Sequence, residues 1–100
     1  MKTLSLLDAT TFTSPNPVSL VCSLTPSGGT NLATISWWTC LSLKPQVIGF
    51  ASMKTSYTGE LVRAGKQVVL TIPGQALARQ VMQCGCSTGR KTDILILGIK

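Results

Sequence analysis

Short apolar runs separated by turn residues dominate this sequence, and that pattern constrains the fold more than any other feature. Residues 18–24 (VSLVCSL) and 32–40 (LATISWWTC) are rich in β-branched and apolar side chains, which is typical of strands. Between them lies a cluster of turn residues, TPSGGTN (25–31), in which Gly28 and Gly29 can take positive φ. The sequence therefore predicts that the two runs pair as a β-hairpin.

The rest of the chain alternates between further strands and short helices. We expect strands over 46–52 and 66–73, a loop and a short helix over 53–65, an amphipathic helix over 74–85, loops over 41–45 and 86–93, and an apolar run over 94–99. Thr55 or Ser56 is expected to cap the first helix, and Gly65 to end it. This order predicts one domain over residues 1–100, either an α+β domain or a partly open barrel.

The apolar content exceeds what a chain of 100 residues easily buries. Hydrophobic residues make up 44% of the chain and charged residues only 12%. We therefore expect some apolar surface to contact a partner subunit, a ligand or a further part of the chain. No apolar run is long enough for a membrane span, and the run in residues 1–9 is too short for a signal peptide, so we predict a cytoplasmic protein.

Charge and residue types exclude several kinds of function. The net charge is +6, but the basic residues are dispersed and aromatic residues make up 5%, so a nucleic-acid partner is not predicted. Histidine is absent and only three residues are acidic, which rules out serine–histidine catalysis and disfavours paired-carboxylate hydrolysis. Any catalysis would then depend on a cofactor.

The four cysteines do not have the spacing of a zinc site. They are Cys22, Cys40, Cys84 and Cys86, and the sequence CGC leaves only one residue between the last two. No metal site is therefore expected. We interpret Cys22 and Cys40 as small buried hydrophobic side chains.

Three polar stretches are candidates for a binding site. The first is the face of the second strand that carries Thr34, Ser36 and Trp38, the second is SMKTSY (52–57), and the third is STGRK (87–91). A phosphate binds well where a strand ends and a helix starts, as is predicted for the second stretch. Each stretch has a simpler explanation, namely a solvated strand face, a helix cap and an exposed turn. The residues alone leave these alternatives open.

Two adjacent tryptophans lie in the second predicted strand. Neighbouring side chains of a strand point to opposite faces, so Trp37 and Trp38 are not expected to share one core.

The order of the segments resembles the flavin reductase-like, or flavoredoxin-like, family. The resemblance covers roughly residues 14–98 and rests on PNPVSLV (15–21), SGGTNLATISWWTCLSLKPQVIGF (27–50), KTSYTGELVRAGKQVVLTIP (54–73) and CGCSTGRKTD (84–93). It implies a mostly β split barrel with short helices that binds FMN as a homodimer. Members of that family are nearly twice as long, so the resemblance implies the N-terminal portion of the family domain and an incomplete barrel.

The resemblance also implies which residues contact the cofactor. Ala33, Thr34, Ile35, Ser36 and Trp37 would contact the flavin ring and ribityl chain, Ser52, Lys54 and Thr55 would lie near the phosphate, and Gly89 and Arg90 would approach the ring from the same or the second subunit. Two hypotheses stay open. One is an FMN-dependent oxidoreductase fed by NAD(P)H or by an electron-transfer partner. The other is a non-enzymatic dimerising module without flavin chemistry.

Overall fold

Strands and short helices alternate through residues 1–90, the part of the chain that the computed structural model describes. The elements are α1 (Leu6–Thr13), β1 (Ser19–Leu24), β2 (Thr30–Ile35), β3 (Trp38–Leu43), β4 (Gln46–Phe50), α2 (Tyr57–Gly65), β5 (Val69–Thr71), a 3-10 turn (Gln75–Leu77) and α3 (Ala78–Cys86). The predicted combination of strands with short helices is confirmed. The apolar run predicted over 94–99 lies outside the described residues.

The first two strands form the predicted hairpin. β1 pairs antiparallel with β2, with Ser19 opposite Ile35 at one end of the ladder. The turn between them is closed by a hydrogen bond from the Thr25 amide to the Gly29 carbonyl (2.9 Å), and Gly28 takes a φ of 85°. β5 pairs with the other edge of β1, which makes a three-stranded sheet in the order β2-β1-β5.

The second predicted strand is broken in the structure, which corrects the expectation of one strand over 32–40. β2 ends at Ile35, and β3 begins at Trp38 as part of a separate two-stranded ribbon with β4. β3 also runs through the segment that was expected to be a loop, because it pairs with β4 as far as Leu43. Within residues 1–90 the three-stranded sheet and the ribbon do not close into a barrel.

The ribbon is attached to the rest of the chain through the two tryptophans. The Ala51 amide donates to the Trp37 carbonyl (2.9 Å), and the Trp38 indole Nε1 donates to the Pro17 carbonyl (2.9 Å). Trp37 is 66% exposed, whereas Trp38 is half-buried. The prediction that the tryptophans do not share one core is confirmed.

Helix ends follow local side-chain chemistry. α1 was not predicted from the sequence; the Ser5 hydroxyl caps it by accepting from the Asp8 amide (3.1 Å), and none of its residues is buried. α2 is capped by Ser56, one of the two predicted caps. Gly65 is its last residue, as predicted, but the C-cap is Lys66, which takes a φ of 54° and whose amide donates to the Val62 carbonyl (2.8 Å).

The core is small and lies where α2 and α3 pack on the three-stranded sheet. Its fully buried apolar residues are Leu20, Val21, Leu61, Val81 and Cys84. Val81 and Cys84 lie on the predicted apolar face of α3. Burial of apolar surface contributes about 25 cal/mol per Å² to the free energy of folding. The burial of these side chains is therefore the main contribution that stabilises the fold.

The ribbon leaves large apolar side chains on the surface. Leu41, Leu43, Val47 and Ile48 are each at least 40% exposed. Cys40 is exposed as well, which corrects the expectation that it is a buried hydrophobic residue, while Cys22 is half-buried. The cause is the break after Ile35, which moves the second half of the predicted strand away from the core. Among the described helices, none is long and apolar enough to cross a membrane.

Candidate functional site

A cleft opens between β2, the segment that joins β4 to α2, and the end of α3. Its volume is about 430 Å³, and its walls combine residues 31–35, 50–53, 55–58, 84–85 and 87–90. Hydroxyl groups line much of it, from Thr34, Ser52, Thr55, Ser56, Thr58, Ser87 and Thr88. All three polar stretches that the sequence singled out therefore meet in one place, although they are far apart in the chain.

Most of the residues predicted to contact a cofactor line this cleft. They are Ala33, Thr34, Ile35, Ser52, Thr55, Gly89 and Arg90. Ser36, Trp37 and Lys54 are not among its lining residues, and all three are exposed. Ser36 and Trp37 follow the end of β2, where the chain leaves the sheet. The role predicted for these three residues stays a prediction.

Thr34 joins β2 to α3 through its side chain. Its hydroxyl donates a hydrogen bond to the Val81 carbonyl, with an oxygen–oxygen distance of 2.6 Å. The hydroxyl proton is therefore already engaged in this hydrogen bond. The Thr34 oxygen can interact with a bound molecule only by accepting a hydrogen bond from it.

The start of α2 forms one wall of the cleft. The Ser56 hydroxyl accepts from the Gly59 amide (3.0 Å) and donates to the Met53 carbonyl (2.8 Å), and it lies 3.0 Å from the Ser52 hydroxyl. The amides of Tyr57 and Thr58 belong to the first turn, where no carbonyl of the same helix can pair with them. This wall thus offers hydroxyl groups and the positive end of a helix dipole.

Asn31 lies beneath the cleft and was not among the predicted site residues. It is 2% exposed, and its Nδ2 donates to the Thr58 hydroxyl (2.9 Å) and to the Ser23 hydroxyl at 3.5 Å. Its Oδ1 faces Gly89, where an added Cβ would overlap this oxygen and come within 3.2 Å of the Tyr57 ring. In the sequence Asn31 is the last residue of the turn cluster 25–31, so its spacing gave no signal of a buried position in a site.

Arg90 lies at the rim of the cleft and forms an ion pair with α2. Its Nη2 donates to the Glu60 Oε2 (2.7 Å), and its guanidinium lies 5.4 Å from the centroid of the Tyr57 ring. The hydrogen bond from Arg90, together with the charges of Arg90 and Arg63, holds the pKa of Glu60 below its ordinary value. Both side chains are about half exposed, so solvent screens the pair.

Cys84 also borders the cleft and was predicted only as part of a helix face. It is 3% exposed, and burial raises the pKa of its thiol. Burial therefore keeps this thiol covered and protonated while the end of α3 is intact. Cys86, two residues further on, is exposed. In residues 1–90 no group of three or more histidine, cysteine or acidic residues is placed to hold a metal ion.

Comparison with known proteins assigns this chain to a family. The model of the flavin reductase like domain matches residues 11–97, so the chain belongs to that family. Membership supports a flavin-related function. Among curated proteins, none matches the sequence.

Two solved flavoredoxins share the fold. Flavoredoxin of Desulfovibrio vulgaris (Miyazaki F) superposes with a TM-score of 0.82 at 22% identity, over 100% of this chain and 51% of that one. Flavoredoxin from Methanosarcina acetivorans superposes with a TM-score of 0.74 at 24% identity, over 78% of this chain and 41% of that one. The chain therefore spans about half, or less, of the length of these flavoredoxins.

Proposed function

We propose that the cleft binds FMN and that the protein transfers hydride or electrons through the bound flavin. One observation carries this proposal: in a member of the flavin reductase like family, most of the residues expected around a flavin line a single cleft. The cleft volume of about 430 Å³ lies within the range of small-molecule sites.

The start of α2 is the proposed phosphate site. Ser52 and Thr55 are exposed hydroxyl residues on the wall of the cleft, next to the unpaired amides of the first turn of the helix. A phosphate dianion is stabilised there by hydrogen bonds from hydroxyl and amide groups and by the helix dipole. The net charge of +6 favours the approach of an anion, and Lys54 adjoins the site in the chain.

The strand side of the cleft is the proposed site for the flavin ring. Ala33 and Ile35 contribute apolar surface from β2, and Arg90 contributes a cation beside the start of α2. An apolar wall with a few polar groups at its edge suits a planar ring system with polar substituents. Bound flavin supplies the hydride and electron chemistry that this chain's own side chains lack.

We also propose that the protein works as a homodimer with a split barrel, with NAD(P)H or an electron-transfer protein as electron donor. The exposed apolar side chains of β3 and β4 support a covered surface at the ribbon. Size-exclusion chromatography with light scattering tests the dimer, and a monomer at micromolar concentration would contradict it. The cytoplasmic location predicted from the sequence remains a prediction.

The alternative function is a dimerising module without flavin chemistry. It is favoured by the exposed apolar side chains of β3 and β4, which suit a contact with another subunit and need no flavin. Titration of the purified protein with FMN separates the two functions. Our proposal expects saturable binding with a perturbed flavin absorbance band near ~450 nm and bleaching of that band by NADH or NADPH. Absence of binding at millimolar FMN would leave the alternative.

A further inference from the structure

Two cysteines flank a glycine in the last turn of α3. Cys84 is 3% exposed and borders the cleft, whereas Cys86 is the last residue of the helix and is exposed. Ser87 follows in an extended conformation and opens the segment 87–90, which lines the cleft and ends at Arg90. The proposed flavin function uses neither thiol, so the pair is open to another role.

Helix geometry keeps these two thiols apart while the last turn is intact. Residues i and i+2 of an α-helix have Cα atoms about 5.4 Å apart, which is within the range that a disulfide spans. Their side chains, however, point to nearly opposite sides of the helix axis, since each residue turns the chain by about 100°. A bond between Cys84 and Cys86 therefore requires the backbone to leave the helical conformation.

The last turn of α3 is poorly held, so leaving that conformation is easy. Gly85 lies between the two cysteines, and glycine is among the least favourable residues inside a helix. The cap residue Ser87 is extended rather than left-handed, and within the described residues its amide closes no hydrogen bond onto the helix. Within residues 1–90, the end of α3 therefore has neither the left-handed cap nor the closing amide hydrogen bond of a well-capped helix.

We propose that Cys84 and Cys86 are a redox modification site, which a hydroperoxide converts into an intramolecular disulfide that unwinds the end of α3 and displaces residues 87–90 from the cleft. The exposed Cys86 thiolate attacks the peroxide O–O bond, forms a sulfenic acid and releases water or an alcohol. As the last turn unwinds, Cys84 attacks the Cys86 sulfur; the S–S bond forms, the S–O bond breaks, and a second water molecule leaves. Two thiols lose two electrons and one peroxide gains them.

Burial decides which cysteine reacts first. Cys86 is accessible to peroxide, while Cys84 is covered and its thiol is held in the protonated form. Cys84 is consequently the resolving thiol, exposed only when the turn opens. A dithiol reductant reverses the reaction.

Disulfide formation is expected to alter the rim of the cleft. Arg90 is four residues beyond Cys86, and its contacts with Glu60 (2.7 Å) and with the Tyr57 ring depend on the position of that segment. Oxidation would separate Arg90 from Glu60. A change in flavin affinity would follow only if the cleft binds FMN, so that consequence rests on the proposed function.

Peptide mapping of the full chain after hydrogen peroxide treatment tests the site directly. Trypsin cuts after Arg79 and Arg90, so the fragment 80–90 contains both cysteines, while Cys22 and Cys40 lie outside it. After blocking with iodoacetamide, we expect this fragment unalkylated and lighter by about 2 Da than its reduced form. Two alkylated thiols in that fragment, or a link from Cys86 to a second molecule, would overturn the proposal.

Two variants and a second readout complete the test. C86S should show no oxidation at Cys84, and C84S should accumulate a sulfenic acid at Cys86 that dimedone traps. Hydrogen exchange of residues 80–90 should become faster in the oxidised wild type but not in C86S; equal exchange would contradict the unwinding. If wild type binds FMN, oxidation should weaken its affinity about tenfold. If the protein does not bind FMN, the proposed flavin function is refuted. The disulfide proposal is then still decided by the peptide mapping and the hydrogen exchange.

Discussion

The Asn31 side chain donates a hydrogen bond to the Thr58 hydroxyl across 2.9 Å and so joins β2 to the first turn of α2. Asn31 is 2% exposed, and both residues lie on the lining of the cleft. The strand that is proposed to face the flavin ring and the helix that is proposed to face its phosphate are thus held by one buried amide. Among the described residues this is the side-chain hydrogen bond that joins β2 to α2, so we expect the shape of the cleft to depend on it.

Removal of the Asn31 amide should lower the free energy of unfolding. N31A leaves the buried Ser23 hydroxyl and the half-buried Thr58 hydroxyl without their donor, and we expect a loss of about 1–3 kcal/mol. Urea denaturation of N31A, T58A and the double variant measures the coupling, which should be about 0.5–1.5 kcal/mol. Additive effects of the two substitutions would show that the bond does not connect the elements.

Loss of the α2 cap should destabilise the whole fold, whereas loss of the α1 cap should not. S56A removes the acceptor for the Gly59 amide in a helix that buries Leu61, and we expect a cost of about 1 kcal/mol in global unfolding. S5A removes an equivalent cap from α1, which buries no residue, and serves as the matched control. Thermal or urea unfolding compares the two variants. Equal destabilisation by S5A would mean that α1 contributes to the cooperative core.

The ion pair between Glu60 and Arg90 should make the position of residues 87–90 depend on pH. The folded-state pKa of Glu60 is lowered, so its contribution to stability is complete above its unfolded-state pKa and is lost as the pH falls through the folded-state pKa. NMR titration of the Glu60 carboxyl carbon measures the shift, which high salt should reduce since the pair is exposed. In R90Q the Glu60 pKa should move up toward its ordinary value; an unchanged titration curve would contradict the pair.

The proposed phosphate site predicts weaker FMN binding when its polar groups are removed. The double variant K54A/T55A should lose about 2–4 kcal/mol of binding free energy, through a cation and a hydroxyl near the dianion. The matched control is T39A/K44A, which removes an exposed threonine and an exposed lysine from the ribbon. It changes the net charge by the same amount. FMN fluorescence titration of both proteins gives the comparison. Equal affinities would reject the assignment of the phosphate site to the start of α2.

The spacing of residues that are close in the chain was sufficient to predict several structural features of this protein. The turn residues around Gly28 and the apolar runs on either side predicted the β1–β2 hairpin, since its pairing needs only neighbours in sequence. The Ser56 cap and the buried face of α3 with Val81 and Cys84 also follow from short-range spacing. Family resemblance added the set of candidate cofactor residues, most of which lie in the cleft.

Contacts between residues far apart in the chain decided where the second predicted strand breaks and which polar residues form the cleft. Thr34 and Trp38 belong to one apolar run, yet the chain leaves the sheet between them, because Trp38 pairs into a different ribbon and its indole bonds to the Pro17 carbonyl. Asn31 lies in the site because α2 packs so that Thr58, which is 27 positions away in the chain, lies beside it. The sequence by itself determined the β1–β2 hairpin, the Ser56 cap and the buried face of α3, which depend on residues close in the chain. Only the tertiary structure decided where the strand breaks and which polar groups meet, because those outcomes depend on partners that no local spacing encodes.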